Sequence, residues 1–333
     1  MMRSSFFSIT IPAYKSAFLS EAIESCLAQT YSDFELIIVD DASPENIKGV
    51  VEQYDDTRIH YYRNEKNCGA IDVVDNWNIC LSYAHGEYVI CMGDDDRLQP
   101  CCLEEYARLI ETHPGIGLLH GWTEIIDEHS QVTMVAAPRP LWESAYSVAW
   151  NRWDNRRHQY IGDWCFCVEW LRQQGGFYKL PLAWGSDDIS AIIGAKKNGV
   201  ANSQKICFQY RVNSLTISKT GDFDQKMEAI HNEREWYKQF LSTQPTEQLD
   251  CIYREMMLSC MHRHFEKKYE QVITQDLYKS IFRLFHWCRL RKVIGYSYRT
   301  LGNATLSWVK WKMKMFTPNK IFTLVVLMNV NTI

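Results

Sequence analysis

Three consecutive carboxylates, Asp94, Asp95 and Asp96, follow a short apolar run in the stretch VICMGDDDRLQP at 89–100. Neighbouring carboxylates repel one another, so such a cluster is either a solvated turn or a place where something positive binds. Carboxylate oxygens suit hard divalent cations such as Mg²⁺ or Mn²⁺. A cation held there can bridge to a diphosphate and take up the charge that develops as a phosphate ester leaves. The turn is therefore a candidate metal site, with a solvated acidic turn as the alternative.

Two further acidic pairs could share in this chemistry. Asp40 and Asp41 end the apolar run FELIIVDD, where a nucleoside could hydrogen-bond to them. Asp187 and Asp188 lie in WGSDDIS, at the start of a predicted helix. A carboxylate in that position is held rigidly and can serve as a general base, although the helix dipole favours its ionised form. One of the two is also expected to cap the helix.

The elements that position these clusters alternate between strand and helix. The apolar patterns predict strands at 6–12, 34–41, 58–64, 87–92 and 115–121, and helices at 17–29, 45–54, 70–84, 101–112 and 187–197. This alternation predicts an α/β fold with a mostly parallel sheet flanked by helices. Because ligands bind beyond the carboxyl ends of such strands, Asp41 and Asp95 are expected at one edge. Several helices are expected over 222–300.

The connection after the first strand excludes a dinucleotide-binding enzyme. A Rossmann pyrophosphate site needs G-x-G-x-x-G there, so that the backbone can approach the phosphates. The connection here reads PAYKSAFLS, and the first glycine of the chain is Gly49. The sequence also contains no P-loop. Phosphate must therefore be held by something other than a glycine-rich backbone.

The composition of the 333 residues, 46% hydrophobic and 23% charged, is that of a soluble globular protein. The length allows one large α/β domain with an appendage. Residues 267–333 contain 12 Lys or Arg but only 2 Asp or Glu, although the net charge of the chain is −4. This asymmetry indicates an acidic body with a basic tail that meets phosphate, lipid or nucleic acid.

The basic tail includes SWVKWKMKMF, which places Trp308, Trp311 and Met315 near one face, with lysines between them. Such a segment is either interfacial at a membrane or a terminal helix docked on its own domain. The apolar run IFTLVVLM at 321–328 is too short for a membrane span, which needs ~20 residues.

The twelve cysteines are mostly scattered singly and form no C-x-x-C pair. The start of the chain, MMRSSFFSITIPAYK, lacks the apolar segment and cleavage site of a secretory signal. We therefore expect reduced thiols, no zinc site and a cytoplasmic location.

Six motifs follow one another along roughly two thirds of the chain: ITIPAYK (9–15), QTYSDFELIIVDDASPE (29–45), NEKNCG (64–69), AHGEYVICMGDDDRLQP (84–100), GGF…WGSDD (175–188) and YRVNSLTIS (210–218). In type and order they resemble the motifs of the GT-A glycosyltransferases of family 2.

The resemblance implies a role for each cluster. The nucleotide would be bound by Pro12, Ala13, Tyr14, Asp40, Asp41, Asn67 and Asp94. The metal ion would be Mn²⁺ or Mg²⁺, with Asp95 as the best-matching ligand and Asp96 as a second. The catalytic base would belong to Asp187–Asp188, and the two possible alignments with the family's Glu-Asp pair leave either residue in that role.

Weaker candidates surround this set. Trp184 could stack on an acceptor sugar or pack in the core, and Asp163 and Trp164 are similar candidates. Arg211 and Ser214 could contact the diphosphate from a mobile loop, but solvated loop positions are the default expectation for both.

The sequence departs from the family pattern at two positions. Gly93 stands where the common Asp-x-Asp-Asp pattern has its first aspartate, and Trp77 stands where the family often has arginine. A basic contact to the donor would then come from Arg63, Lys66 or Arg97.

The resemblance implies inverting transfer of a sugar from a nucleotide-diphosphate donor to a saccharide hydroxyl. Similar single-domain cytosolic members commonly build bacterial surface polysaccharides, such as O-antigen or capsule, on lipid-linked acceptors at the inner membrane face. The expected division is a GT-A domain at 1–220, with its nucleotide half at 1–121 and its acceptor half at 122–220, and a helical basic region at 221–333 that contacts the membrane peripherally. A nucleotidyltransferase and a catalytically silent sugar-nucleotide-binding protein are the alternatives, and nucleic acid is not an expected partner.

Overall fold

The structure, a computed structural model, describes residues 6–153, 156–213 and 222–315. Its strands are β1 (Phe7–Ala13), β2 (Phe34–Asp40), β3 (Ile59–Arg63), β4 (Tyr88–Cys91), β5 (Arg97–Leu98), β6 (Leu118–Ile126), β7 (Val132–Val135), β8 (Trp142–Glu143), β9 (Trp164–Cys167) and β10 (Val200–Arg211). Its helices are α1 (Leu19–Leu27), α2 (Ile47–Val51), α3 (Val73–Tyr83), α4 (Cys102–Thr112), α5 (Ala145–Trp153), α6 (Val168–Gln173), α7 (Ser186–Ala195), α8 (Phe223–Ser242), α9 (Gln248–Lys279), α10 (Arg283–Ile294) and α11 (Tyr298–Met315).

The strands form one sheet in the order β3-β2-β1-β4-β9-β6-β10-β5, with β7 beside β6 and β8 beside β10. The first four strands in this order are parallel, and β10 is parallel to β6. Strand β9 runs antiparallel between β4 and β6. Helices flank this sheet, so the predicted α/β fold is confirmed. The strands and helices predicted for the first 120 residues are all present, although β6 runs on to Ile126.

The buried centre of the sheet brings several strand ends to one edge. Strands β1, β2 and β4 are almost entirely buried, which explains their nearly continuous apolar sequences. The register pairs Ala13 with Asp40. The segments that follow these strands therefore begin side by side, and they carry Tyr14, Asp41 and Asp94.

The helices after β10 pack on the same core. Tyr237 of α8 lies 4.7 Å from Trp153 of α5, measured between ring centroids, and Phe265 of α9 lies 5.6 Å from Trp153. One hydrophobic cluster runs from Val39 in the sheet to Trp287 in α10. The helices expected over 222–300 are present, whereas the domain division at residue 220 stays a prediction.

The described part of the basic tail docks on the protein. Helix α11 packs along α9, and the Trp311 ring lies 4.9 Å from that of Tyr278. Trp308 is half-buried against the main core cluster. Within the ranges that the structure describes, no helix has the length and apolar character needed to cross a membrane. The run at 321–328 lies outside those ranges.

All twelve cysteines are free, in agreement with the expected reduced thiols.

Candidate active site

The carboxylate of Asp40 is fully buried and bonded to its own surroundings. Its Oδ1 accepts a hydrogen bond from the Ser43 backbone N–H at 2.8 Å, and its Oδ2 accepts one from Tyr61 Oη at 2.8 Å. Arg63 forms an ion pair with it. Asp40 therefore braces the connection after β2 and uses Arg63, one of the predicted basic contacts, to do so.

Asp41 ties the loop after β3 to the same edge. Its Oδ1 accepts hydrogen bonds from Asn64 Nδ2 at 2.8 Å and from the Cys68 backbone N–H at 2.9 Å. Asn67 lies exposed in this loop, as does Lys66. The loop is thus held by a carboxylate that follows β2, and it carries polar side chains at the nucleotide edge.

Asp94 joins the triple-aspartate turn to the end of β1. Its Oδ2 accepts hydrogen bonds from the backbone N–H groups of Tyr14 and Lys15, both at 2.7 Å. Burial raises the pKa of Asp94 to about 6. Pro12 and Ala13 end β1 just before this contact, and the Tyr14 side chain is exposed. The predicted nucleotide-binding stretch and the acidic turn are therefore in direct contact.

The other two aspartates of the turn point in different directions. Asp95 is half-buried, and its Oδ2 accepts a hydrogen bond from Asn213 Nδ2 at 2.7 Å. Asp96 is only 4% exposed, and its oxygens accept hydrogen bonds from the backbone N–H groups of Arg211 at 2.9 Å and Gly93 at 3.3 Å. Burial, with the neighbouring charge of Asp95, raises the pKa of Asp96 well above its ordinary value. The turn thus directs Asp95 outward and Asp96 inward.

Arg211 fixes the turn from behind. It ends β10 with its side chain fully buried, so the expectation of a solvated loop position was wrong. Its Nε donates to the Asp95 carbonyl oxygen at 2.7 Å, and its other nitrogens donate to the Asp127 carbonyl at 3.1 Å and to Glu21 Oε2 at 2.8 Å. The guanidinium is thus committed to the protein in this structure. Ser214 lies outside the described residues.

The second acidic pair lies in the first turn of α7. Asp188 is 5% exposed, and both of its oxygens accept from Arg152 Nε, at 2.8 Å and 2.9 Å. Gln159 Nε2 donates to the same carboxylate at 2.7 Å. Asp187 is partly exposed, and burial together with the Asp188 charge raises its pKa to about 7. The helix is capped by Gly185, so the expectation that one aspartate caps it was wrong.

Tyr210 connects the two acidic clusters. Its ring stacks on that of Tyr160, with centroids 3.6 Å apart. Its pKa is raised by burial first and then by nearby negative charges, which include those of Asp95, Asp96 and Asp187. The triple-aspartate turn and Asp187 are therefore both close enough to Tyr210 for their charges to act on its hydroxyl. Tyr210 opens the motif YRVNSLTIS, but its local pattern does not differ from that of an ordinary strand aromatic, so no role was predicted for it.

The weaker acceptor candidates are mostly buried. Asp163 and Trp164 are both 0% exposed, which leaves no surface for a saccharide to contact in this structure. Asp163 instead accepts hydrogen bonds from Thr123 Oγ1 and the Tyr160 backbone N–H, both at 3.1 Å, and burial raises its pKa to about 7. The Trp184 ring packs on the core and lies 4.8 Å from Lys226 Nζ.

Residues 8–166 match the family model described as "Glycosyl transferase family 2". The matched stretch, just under half of the chain, is a family 2 glycosyltransferase domain, and the protein that carries it is a glycosyltransferase. The match favours a glycosyltransferase over the alternative of a nucleotidyltransferase.

Two bacterial relatives extend this assignment. The chain is 28% identical over 214 residues to the Escherichia coli "UDP-Glc:alpha-D-GlcNAc-diphosphoundecaprenol beta-1,3-glucosyltransferase WfgD", which covers 63% of this chain and 79% of WfgD. It is 26% identical over 217 residues to the Bacillus subtilis "putative teichuronic acid biosynthesis glycosyltransferase TuaG", covering 63% of this chain and 81% of TuaG. The chain is thus similar to one enzyme named for a diphosphoundecaprenol-linked acceptor and to one named for teichuronic acid biosynthesis.

The fold is similar to that of S. aureus TarS, of which residues 1–349 have been solved in complex with UDP-GlcNAc. The TM-score is 0.62 at 14% identity, and the likeness covers 93% of this chain and 92% of that chain. The GT-A fold expected from the motifs is confirmed.

The glycosyltransferase resemblance implies a divalent metal ion, and the residues at the turn fit one in part. Among the described residues, no group of three or more His, Cys, Asp and Glu side chains is arranged to hold a metal. Mg²⁺, however, usually binds through one or two carboxylates together with substrate phosphates and water. The half-buried carboxylate of Asp95 suits that arrangement, whereas Asp96 is turned into the protein.

Proposed function

We propose that this glycosyltransferase moves a sugar, with inversion, from a nucleoside-diphosphate donor to a hydroxyl of a lipid-linked saccharide in surface polysaccharide synthesis. The observation that carries the proposal is the pairing of Asp188 with Arg152, which leaves the partly exposed Asp187 as the second carboxylate of the pair, while Asp95 of the acidic turn is also partly exposed. WfgD, whose name specifies a diphosphoundecaprenol-linked acceptor, supports the acceptor class.

The donor nucleotide is proposed to lie at the edge where β1, β2 and β4 end. Tyr14 and Asn67 are exposed there, and Asp41 holds the loop that carries Asn67. Asp94 holds the backbone at Tyr14 against the acidic turn. Asp40 has a supporting role in this proposal, because its oxygens are already bonded within the protein.

The metal ion is proposed to be Mg²⁺ or Mn²⁺, held by Asp95 together with the donor diphosphate. When bound, it supplies positive charge that neutralises the departing nucleoside diphosphate. Arg211 and Asn213 hold Asp95 in position through its backbone carbonyl and its side chain. Asp96 is proposed to shape the turn through its bonds to backbone N–H groups rather than to bind the ion.

The general base is proposed to be Asp187. As the bond between the sugar and the diphosphate breaks, the acceptor oxygen attacks from the opposite face and its proton passes to the Asp187 carboxylate. A base with a pKa near the working pH combines availability with driving force for proton transfer. Asp188 is proposed to anchor the pair, since its charge is already compensated by Arg152.

The proposal is tested first by calorimetric titration of UDP, GDP, CDP and dTDP, each with and without Mn²⁺. One nucleotide is expected to bind tightly in the presence of metal, and at least tenfold more weakly to the Asp95→Ala variant. Asp55→Ala, which changes an exposed aspartate before β3 at the opposite edge of the sheet, is the matched control and should bind like wild type. Absence of nucleotide binding would contradict the proposal. A nucleotide affinity that changes neither with Mn²⁺ nor in the Asp95→Ala variant would contradict it as well.

A further inference from the structure

One side of α10 presents apolar side chains to solvent. Phe282 precedes the helix, and the adjacent pair Phe285 and His286, then Arg289 and then Val293 follow along the same side at intervals of three or four residues. We refer to these five residues as the α10 face. Phe282, Phe285 and Val293 are 79%, 75% and 78% exposed. Together with Leu290, the last four residues of the face line a shallow groove of about 440 Å³.

The opposite side of the same helix holds α10 in place. Trp287 is fully buried, and its Nε1 donates to Asp276 Oδ2 at 3.0 Å. Ile294 is 9% exposed. The helix is therefore docked firmly, and the exposure of its outer aromatic side chains does not result from fraying. Clustered apolar exposure of this kind marks a surface that meets an apolar partner.

The charge around the face identifies the chemistry of that partner. Residues 279–293, which include α10, contain five Lys or Arg and no Asp or Glu. Arg289 belongs to the face. Lys279 and Lys292, which precede and follow Arg289 along the chain, are also exposed. The carboxylate of Asp224 is compensated, since His286 Nε2 and Arg283 Nη2 lie 2.7 Å and 3.1 Å from its Oδ1. A partner that is apolar inside and anionic at its surface complements this arrangement.

We infer that the α10 face docks on the surface of an anionic phospholipid bilayer. Phenylalanine side chains that enter the headgroup boundary, flanked by basic residues, are the usual composition of a peripheral membrane contact. The inference rests on the proposed function, because a lipid-linked acceptor is presented at such a surface. It moves the contact away from Trp308 and Trp311 of α11, which pack against the protein.

The contacts of α10 connect this surface to the helix that carries the proposed general base. Arg283 joins α10 to α8 and α9 through Asp224 and Asp276. In the first turns of α8, Lys226 lies over the Trp184 ring, three residues before Asp187. A short chain of contacts thus links the docked surface to the start of the catalytic helix α7.

Vesicle flotation tests the inference on the full chain. Wild type is expected to bind vesicles of phosphatidylcholine with 30% phosphatidylglycerol and to bind pure phosphatidylcholine weakly. The double variant Phe282→Glu/Phe285→Glu should bind the anionic vesicles at least tenfold more weakly. The matched control is Leu249→Glu/Ile252→Glu, at apolar positions that are 58% and 49% exposed. Both lie at the N-terminal end of α9, about 40 Å along the helix from the C-terminal end that leads to α10. This control should bind like wild type.

Three results would overturn the inference. The first is equal binding of the double variant and wild type to anionic vesicles. The second is equal loss of binding in the control variant. The third is a wild-type dimer in sedimentation velocity that becomes monomeric in the double variant while vesicle binding is unchanged, since the α10 face would then bind a second copy of the chain.

Nucleotide calorimetry on the same proteins separates this inference from the proposed function. The double variant should bind nucleotide and Mn²⁺ like wild type, which also verifies that it is folded. If wild type binds no nucleotide but its vesicle binding still depends on the α10 face, the proposed function fails and the docking surface stands. The reverse result contradicts the docking surface alone.

Discussion

Arg152 Nε lies 2.8 Å and 2.9 Å from the two carboxylate oxygens of Asp188, and this contact separates the roles of two adjacent aspartates. The ion pair joins α5 to the start of α7 and compensates the Asp188 charge. Asp187 is partly exposed, and burial together with the Asp188 charge raises its pKa to about 7. Asp188 is therefore suited to holding the site together, and Asp187 is suited to accepting a proton.

Asp187→Asn is expected to lower kcat by about 10²–10⁴-fold, the range for loss of a general base, with little change in the donor KM. Steady-state kinetics with the donor identified by calorimetry measures this. Asp188→Asn should instead lower the free energy of unfolding by about 1–3 kcal/mol, because the guanidinium of Arg152 loses its charged partner. Arg152→Met is the control and should behave like Asp188→Asn. Loss of turnover in Asp188→Asn alone would assign the base to Asp188.

The activity should depend on pH through the same carboxyl. Burial and the Asp188 charge disfavour the ionised form of Asp187, so its pKa is raised to about 7 and the base is protonated in acid. We expect kcat/KM to rise with pH and to level off above about pH 7. This rise is the acidic limb of the pH profile, and the residual activity of Asp187→Asn should lack this limb. In Arg152→Met the limb should move to higher pH, because the positive charge of Arg152 favours ionised Asp187. A pH profile that keeps the limb in Asp187→Asn would exclude this residue as its source.

The nucleotide edge could be predicted from the sequence for a clear physical reason. Strands buried on both faces have nearly continuous apolar sequences, and parallel strands end at one edge. The polar residues that follow β1, β2 and β4 were therefore expected to meet, and the Asp94 contacts with Tyr14 and Lys15 show that they do.

The contacts that hold the acidic residues could not be predicted in the same way. Arg211 is more than one hundred positions from Asp95 in sequence, and Arg152 is far from Asp188, so no local pattern links either pair. These contacts depend on how β10 and α5 pack, which is a property of the whole fold. Strand β9, a four-residue WCFC segment buried along its length, likewise has no alternation to mark it as a strand.

Arg211→Met is expected to lower the free energy of unfolding by about 2 kcal/mol or more, since the carbonyl oxygens of Asp95 and Asp127 lose their donors. Metal-dependent nucleotide binding should weaken as well, because the Asp95 backbone is released. Denaturant unfolding and calorimetry measure the two effects. The control is Arg97→Met, whose guanidinium lies 3.6 Å from Glu21, the carboxylate that Arg211 also contacts, but is 36% exposed. That variant should change stability by about 0.5 kcal/mol or less, and a larger loss in it would contradict the assignment.

Gly93 lies where an added Cβ would come within 2.9 Å of both Asp95 Oδ1 and Asp96 Oδ2. Neither carboxylate can move away freely, because Asn213 holds the first and backbone N–H groups hold the second. Gly93→Ala is therefore expected to weaken metal-dependent nucleotide binding. Gly93→Asp should in addition weaken the nucleotide binding that is measured without metal, because it adds a fourth negative charge. Calorimetry with and without Mn²⁺ measures both variants.

The control for this substitution is Gly302→Ala in α11, where an added Cβ meets nothing within 4 Å. This change should raise the free energy of unfolding by about 0.5–1 kcal/mol, the difference in helix propensity between the two residues, and leave nucleotide binding unchanged. If Gly93→Ala bound nucleotide and metal like Gly302→Ala, the turn would have room to shift. Charge repulsion, rather than lack of space, would then explain why this chain has glycine at position 93 where the family commonly has aspartate. A loss confined to the Gly93 variants would show that the close approach of Asp95 and Asp96 requires glycine.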